Sequence, residues 1–126
     1  MKRTFYVAGV QFRPRHEIDQ AAKGLSAGDK LVLMPEPTNK FDPNAVQIQT
    51  IGGERAIFLG YIPKKFSSEV SAMLGIGAPV ICTVDEVNPS AKTYEMIKIT
   101  VQIPVDEEDT TLNEEDENDS YEGDMV

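Results

Sequence analysis

The chain has 126 residues, 40% of them apolar and 26% charged, with a formal net charge of −9. That suffices for one domain with its own core, and the absence of any apolar run of about 18 residues excludes a membrane-crossing helix. One cysteine and one histidine exclude an internal disulfide and a four-ligand structural zinc site, and fit a reducing, cytoplasmic compartment.

The acidity is not spread evenly. Eleven acids and no Lys or Arg lie from Asp106 onward, which leaves ten acids against all twelve bases before it. A mildly basic domain, residues 1–105, therefore precedes an acidic tail, residues 106–126, whose composition predicts disorder. The plain role of such a tail is solubility; the sharper one is competition with a polyanion for a basic groove.

In chain order, residues 4–12 (TFYVAGVQF) are rich in β-branched and aromatic types and predict the first strand. In the polar stretch that follows, Ile18, Ala21, Ala22 and Leu25 share one face of a short helix, which Gly24 can end. Residues 30–34 predict a second strand, 45–50 (AVQIQT) a half-buried alternating third, and Gly52-Gly53 a hairpin turn into a fourth over 55–62. Pro63 suits the start of a helix over 63–74, with Phe66, Val70, Met73 and Leu74 on one face. Strands over 78–87 and 94–105 complete a mainly β domain: a small, OB-like six-stranded β-barrel with one or two short helices. Cys82, in the apolar run VICTV, reads as a buried structural thiol.

Three places carry candidate chemistry. The loop 35–44 is long for a hairpin. Asp42, Pro43 and Asn44 are ordinary turn formers, but Phe41 is not. A ring there either anchors the loop from below or offers a face to something flat, and residue type alone favours the anchor. Phe12 and Arg13 end the first predicted strand. In LGYIPKKF, Tyr61 ends a strand and Lys64 and Lys65 open a helix, where free N–H groups and positive charge suit a phosphate; the plain alternative is solvated surface. Gly60 suggests a bulge or a close backbone approach. Stacking rings beside a positive cradle are the composition of a single-strand nucleic-acid site.

The run LVLMPEPTNKFDPNAVQI, preceded by FYVAGVQF and followed by LGYIPKKFSSEVSAML, resembles the HIRAN domain over residues 5–87. The resemblance implies an OB-like barrel that binds the 3′ end of single-stranded DNA, found alone or joined to helicase-like DNA remodellers, with DNA-processing or repair proteins as further partners. By motif position it implies that Phe12 and Phe41 stack on bases, that Asp42 accepts from the terminal 3′-hydroxyl, and that Tyr61 and Lys64 meet the phosphate, with Gln11 and Lys65 beside them. Gln11 stands where the DNA-end binder has an arginine, Phe12 and Phe41 replace tyrosines, and Tyr61 replaces a histidine, so one cationic contact is absent. No cofactor or metal is implied, and no remodelling activity.

Two other readings compete. Glu36 and Asp42 would be the acids of a metal-dependent phosphodiesterase, although no general base stands beside them. The acidic tail would make the chain a protein-interaction module that docks on a basic partner or mimics nucleic acid.

Overall fold

The computed structural model describes residues 1–52 and 55–104; the acidic tail, and with it the expected disorder, lies outside the described residues. Six strands and two helices follow one another: β1 (Lys2–Tyr6), α1 (Arg15–Gly24), β2 (Lys30–Pro35), β3 (Val46–Thr50), β4 (Phe58–Tyr61), α2 (Lys64–Gly75), β5 (Ile81–Val87) and β6 (Ile97–Gln102). Short 3-10 helices sit at Val10–Phe12 and Thr93–Glu95. The strands form one antiparallel sheet in the order β1-β6-β5-β2-β3-β4.

Period-two patterning decides which face is buried. Val46 and Ile48 of β3, and Ile97, Ile99 and Val101 of β6, point into the core, where they meet Ile18 of α1 and Val70 of α2. The helix faces are those the spacing predicts: Ile18, Ala21 and Ala22 of α1 are buried. On α2 Val70 is buried and Phe66 stacks on Phe5 of β1, ring centroids 4.9 Å apart. A paired-nitrogen bridge from Arg3 to Glu69 holds the same helix to β1, at 2.9 and 3.0 Å. Among the described residues no helix is long and apolar enough to cross a membrane.

The sheet curls into a half-barrel until its two ends meet. Beyond β1 the chain runs on to Ala8, whose N–H donates to the Tyr61 carbonyl at 2.9 Å, while the Tyr61 N–H donates back at 2.8 Å. This one residue pair joins the β1 end of the sheet to β4. Gly60 permits it. Its φ is +153°, and a Cβ there would lie 2.3 Å from the Ala8 carbonyl oxygen and 2.8 Å from Val7 Cγ1. The register also slips between Ile48 and Gln49, which face Gly60 and Phe58, so Leu59 is the extra residue of a bulge. Both features that a glycine before Tyr61 suggests are present.

Several boundaries differ from expectation. The first strand stops at Tyr6, not at residue 12: Gly9, at φ +76°, turns the chain and Val10–Phe12 winds into a 3-10 helix. Phe12 therefore sits on a turn, not at a strand end. The last strand starts at Ile97, and Tyr94 lies on the second 3-10 helix. β4 begins only at Phe58, and ahead of it Arg55 pairs with Glu17 of α1 at 3.2 Å. Pro79, with no N–H for a ladder, precedes β5.

Cys82 is buried, and burial, helped by the charge of Asp85, pushes its thiol up to about 12. Thiolate is the reactive form. A disulfide reagent at neutral pH is thus expected to leave the native protein unmodified and to titrate one thiol after denaturation; rapid reaction of the native chain would show the strand environment to be open.

Candidate nucleic-acid interface

The loop between β2 and β3 is built by its own side chains. Asn39 Oδ1 accepts the backbone N–H groups of Phe41 (2.8 Å) and Asp42 (3.0 Å), and Asp42 Oδ1 accepts that of Asn44 (2.9 Å). Short polar side chains compete in this way with regular structure and make turns. Beneath the loop, Glu36 Oε1 accepts from Asn39 Nδ2 (2.7 Å) and from the Tyr61 hydroxyl (2.9 Å), and Glu36 Oε2 from Gln47. Glu36 thus ties the loop to both β3 and β4. Gln47, then Asn39, holds its carboxyl below the ordinary range against the opposing effect of burial.

Asp42 is held from a second side. Ser67 Oγ, on α2, donates to its Oδ2 at 2.7 Å. That bond, then the Asn44 N–H and the nearby charge of Lys64, lowers its pKa, so it is a carboxylate at neutral pH. Each carboxylate oxygen has a second lone pair, which leaves Asp42 able to accept one more donor. Tyr61 moves the other way: burial, then its bond to Glu36, raises its pKa, so it remains a neutral phenol. Its one O–H is committed to Glu36, and what it presents is the ring, packed edge-on against Phe58 at 5.3 Å. Arg13 stacks its guanidinium 4.0 Å over Phe58 and donates to the Phe58 carbonyl.

These elements enclose a groove of about 300 Å³ whose lining includes Phe12, Phe41, Asp42, Tyr61 and Lys64, five of the seven residues singled out in the sequence. They come from four places: the 3-10 turn after β1, the β2–β3 loop, β4 and the start of α2. Gln11 and Lys65 are exposed but do not line it; the Lys65 ammonium lies 5.4 Å over Phe66 instead. Phe41 is not an anchor. It is 90% exposed and Phe12 is 80% exposed, because the Asn39 and Asp42 bonds fix the loop with the ring outward.

Sequence reasoning missed Ser67. A serine one turn into a helix carries no local signal for contact with a loop far away in the chain. Tyr94, 56% exposed on the second 3-10 helix, does not line the groove. A larger cleft of about 590 Å³ lies between α1 and the β3–β4 connection, among Glu17, Gln20, Asp29 and Arg55, and has no aromatic ring in its wall. Among the described residues no three His, Cys, Asp or Glu side chains group closely enough to hold a metal.

The family model of the HIRAN domain matches residues 3–106. No curated protein matches the chain. Two solved structures share the fold. A protein from Lactobacillus plantarum aligns at 18% identity over 80% of this chain and 95% of its own, with a TM-score of 0.64. The HIRAN domain of human HLTF aligns at 14% identity over 79% of this chain and 70% of its own, with a TM-score of 0.54.

Proposed function

The chain belongs to the HIRAN domain family, a family of DNA-binding modules, and from that premise we propose that it is a non-catalytic module that holds single-stranded DNA and reads its 3′-hydroxyl end in the Phe12–Phe41 groove. The observation that carries this reading is the convergence of two largely exposed phenylalanines, a carboxylate with unused lone pairs and a lysine on one groove. Exposed rings of this kind are sequence-tolerant stacking platforms for bases. The 3′-hydroxyl is a donor and suits Asp42. The backbone phosphate next to it suits Lys64 and the backbone N–H groups of Lys64 and Lys65, which have no partner among the described residues; the third, that of Phe66, already donates to the Pro63 carbonyl.

Metal-dependent cleavage finds less support. The Glu36 carboxylate is spent on Asn39, Tyr61 and Gln47 and does not line the groove, so Asp42 is the one acid there among the described residues.

The test is a comparison of short oligonucleotides ending in a 3′-hydroxyl and in a 3′-phosphate, by fluorescence anisotropy. The hydroxyl end is expected to bind more tightly. Because a phosphate monoester gains its second charge near pH 6 while the lowered pKa of Asp42 keeps it ionised, the preference is expected to widen from pH 5 to pH 8. It should collapse as the pH falls through the lowered pKa of Asp42, and be lost in Asp42→Asn. Equal binding of the two ends at pH 8 would reject end reading and leave a general single-strand binder.

Lys64 supplies a further check. Each phosphate contact on a single strand contributes a slope of about −0.7 in log K against log salt. Lys64→Ala is expected to weaken binding and to flatten the slope by about that amount; an unchanged slope would remove Lys64 from the interface.

A further inference from the structure

The groove sets three conditions for an occupant. It offers ring faces at Phe12 and Phe41, an acceptor at Asp42, and positive charge at Lys64. The side chains of a plain acidic peptide fail the second condition, since a carboxylate cannot donate and is repelled by Asp42. The tail of this chain meets all three within four consecutive residues, Asp119, Ser120, Tyr121 and Glu122. Tyr121 is the one aromatic residue after Tyr94. Its phenol combines a flat ring with an O–H donor, as the terminal nucleoside of a DNA strand does, and acids flank it as phosphates flank a base.

Reach is ample. The Ile103 N–H donates to the Met1 carbonyl at 3.0 Å, so the chain leaves the domain beside the start of β1. The groove begins at Ala8, seven residues further along the chain from Met1 and two beyond the end of β1, or at most roughly 23 Å at strand spacing. The stretch from 104 to 121 can span up to about 60 Å when extended. A tethered segment acts at an effective concentration in the millimolar range, so a contact too weak to detect between separate molecules is populated within one.

We propose that the groove also takes the chain's own tail: the Tyr121 ring stacks at Phe12 and Phe41, its O–H donates to Asp42, and Asp119 or Glu122 pairs with Lys64, so that the tail competes with a DNA 3′ end. This rests on the reading of the groove as the DNA-end site. The competition is specific to one residue, which separates it from simple repulsion between an acidic tail and DNA.

The experiment uses the full chain as wild type, Tyr121→Ala and Tyr121→Phe, all with the same eleven tail acids. The first readout needs no DNA: the backbone amide NMR shifts of Phe12, Phe41, Asp42 and Lys64. They are expected to differ between wild type and Tyr121→Ala, with Tyr121→Phe between them. The second is the affinity for a 5′-labelled oligothymidylate with a 3′-hydroxyl at low salt, expected to tighten roughly threefold or more in Tyr121→Ala as the tethered competitor is lost. Unchanged groove shifts overturn the proposal, as does equal DNA affinity in a wild type that binds. Shifts that follow Tyr121 in a chain that binds no DNA uphold the tail contact and reject the DNA-end reading instead. A Tyr121→Phe chain that matches wild type in both readouts overturns the contact with Asp42.

Discussion

Gly60→Ala is expected to destabilise the domain by about 3–5 kcal/mol, a large part of the roughly 5–15 kcal/mol that holds a typical domain together. The added Cβ would lie 2.3 Å from the Ala8 carbonyl oxygen, which is backbone and cannot rotate away. Either the two Ala8–Tyr61 hydrogen bonds open, at about 1 kcal/mol each, or β4 shifts and strains the packing of Leu59, fully buried beside it, at about 1–3 kcal/mol. The backbone conformation adds to this, since φ +153° is one that only glycine adopts without strain. Urea unfolding measures the effect. Gly24→Ala is the matched control: Gly24 ends α1, has an ordinary φ, and nothing lies within 4 Å of a Cβ there. It should be neutral or slightly stabilising. A Gly60→Ala midpoint close to that of the control would show that the Ala8–Tyr61 pair does not hold the half-barrel closed. Function should follow stability in this variant, because Tyr61 and Ala8 both line the groove.

Legibility in the sequence tracked the distance over which the physics acts. The helices were readable because the apolar spacing of Ile18, Ala21 and Ala22, and that of Phe66 and Val70, is local to each segment. The long loop was readable because Asp42, Pro43 and Asn44 make turns by bonding to their own neighbours, as Asp42 does to the Asn44 N–H. Gly60 signalled a close approach, though not what approaches. Illegible were the things that closure decides. Nothing near Ala8 says that it will pair with Tyr61, and nothing near Ser67 says that it will face Asp42. One β-rich run, residues 4–12, hid a turn, because Gly9 in a strand pattern is an ambiguous signal until its positive φ is seen.

Phe41 shows why residue averages fail at a site. Large aromatics are mostly buried, so composition alone favours an anchor. The local hydrogen bonds outweigh that tendency: Asn39 fixes the Phe41 and Asp42 amides, Ser67 fixes the Asp42 carboxylate, and the ring is left at 90% exposure. An ordered backbone that displays an exposed ring beside a bound carboxylate is poor use of an aromatic for stability and good use of one for recognition. The same order lowers the entropic cost of binding, since the loop does not have to fold around a ligand.

That contrast fixes the expected outcome of removing the two rings. Phe12→Ala and Phe41→Ala should each leave stability within about 0.5 kcal/mol of wild type, because surface changes away from packed contacts do little and both rings are mostly in solvent. Each should weaken single-strand binding by about 1–3 kcal/mol, the worth of one stacked base, or roughly 5- to 150-fold. The double variant tells how the rings work together. If each stacks on its own base, the losses should add to within about 0.5 kcal/mol, as for independent sites. If the rings hold one base between them, the first substitution already frees that base and the second costs less. Anisotropy titrations of the four chains, paired with urea unfolding, separate the two arrangements. A double variant that binds as wild type does would remove stacking from the site altogether; one that unfolds early would return Phe12 and Phe41 to the role of structural anchors, which their exposure argues against.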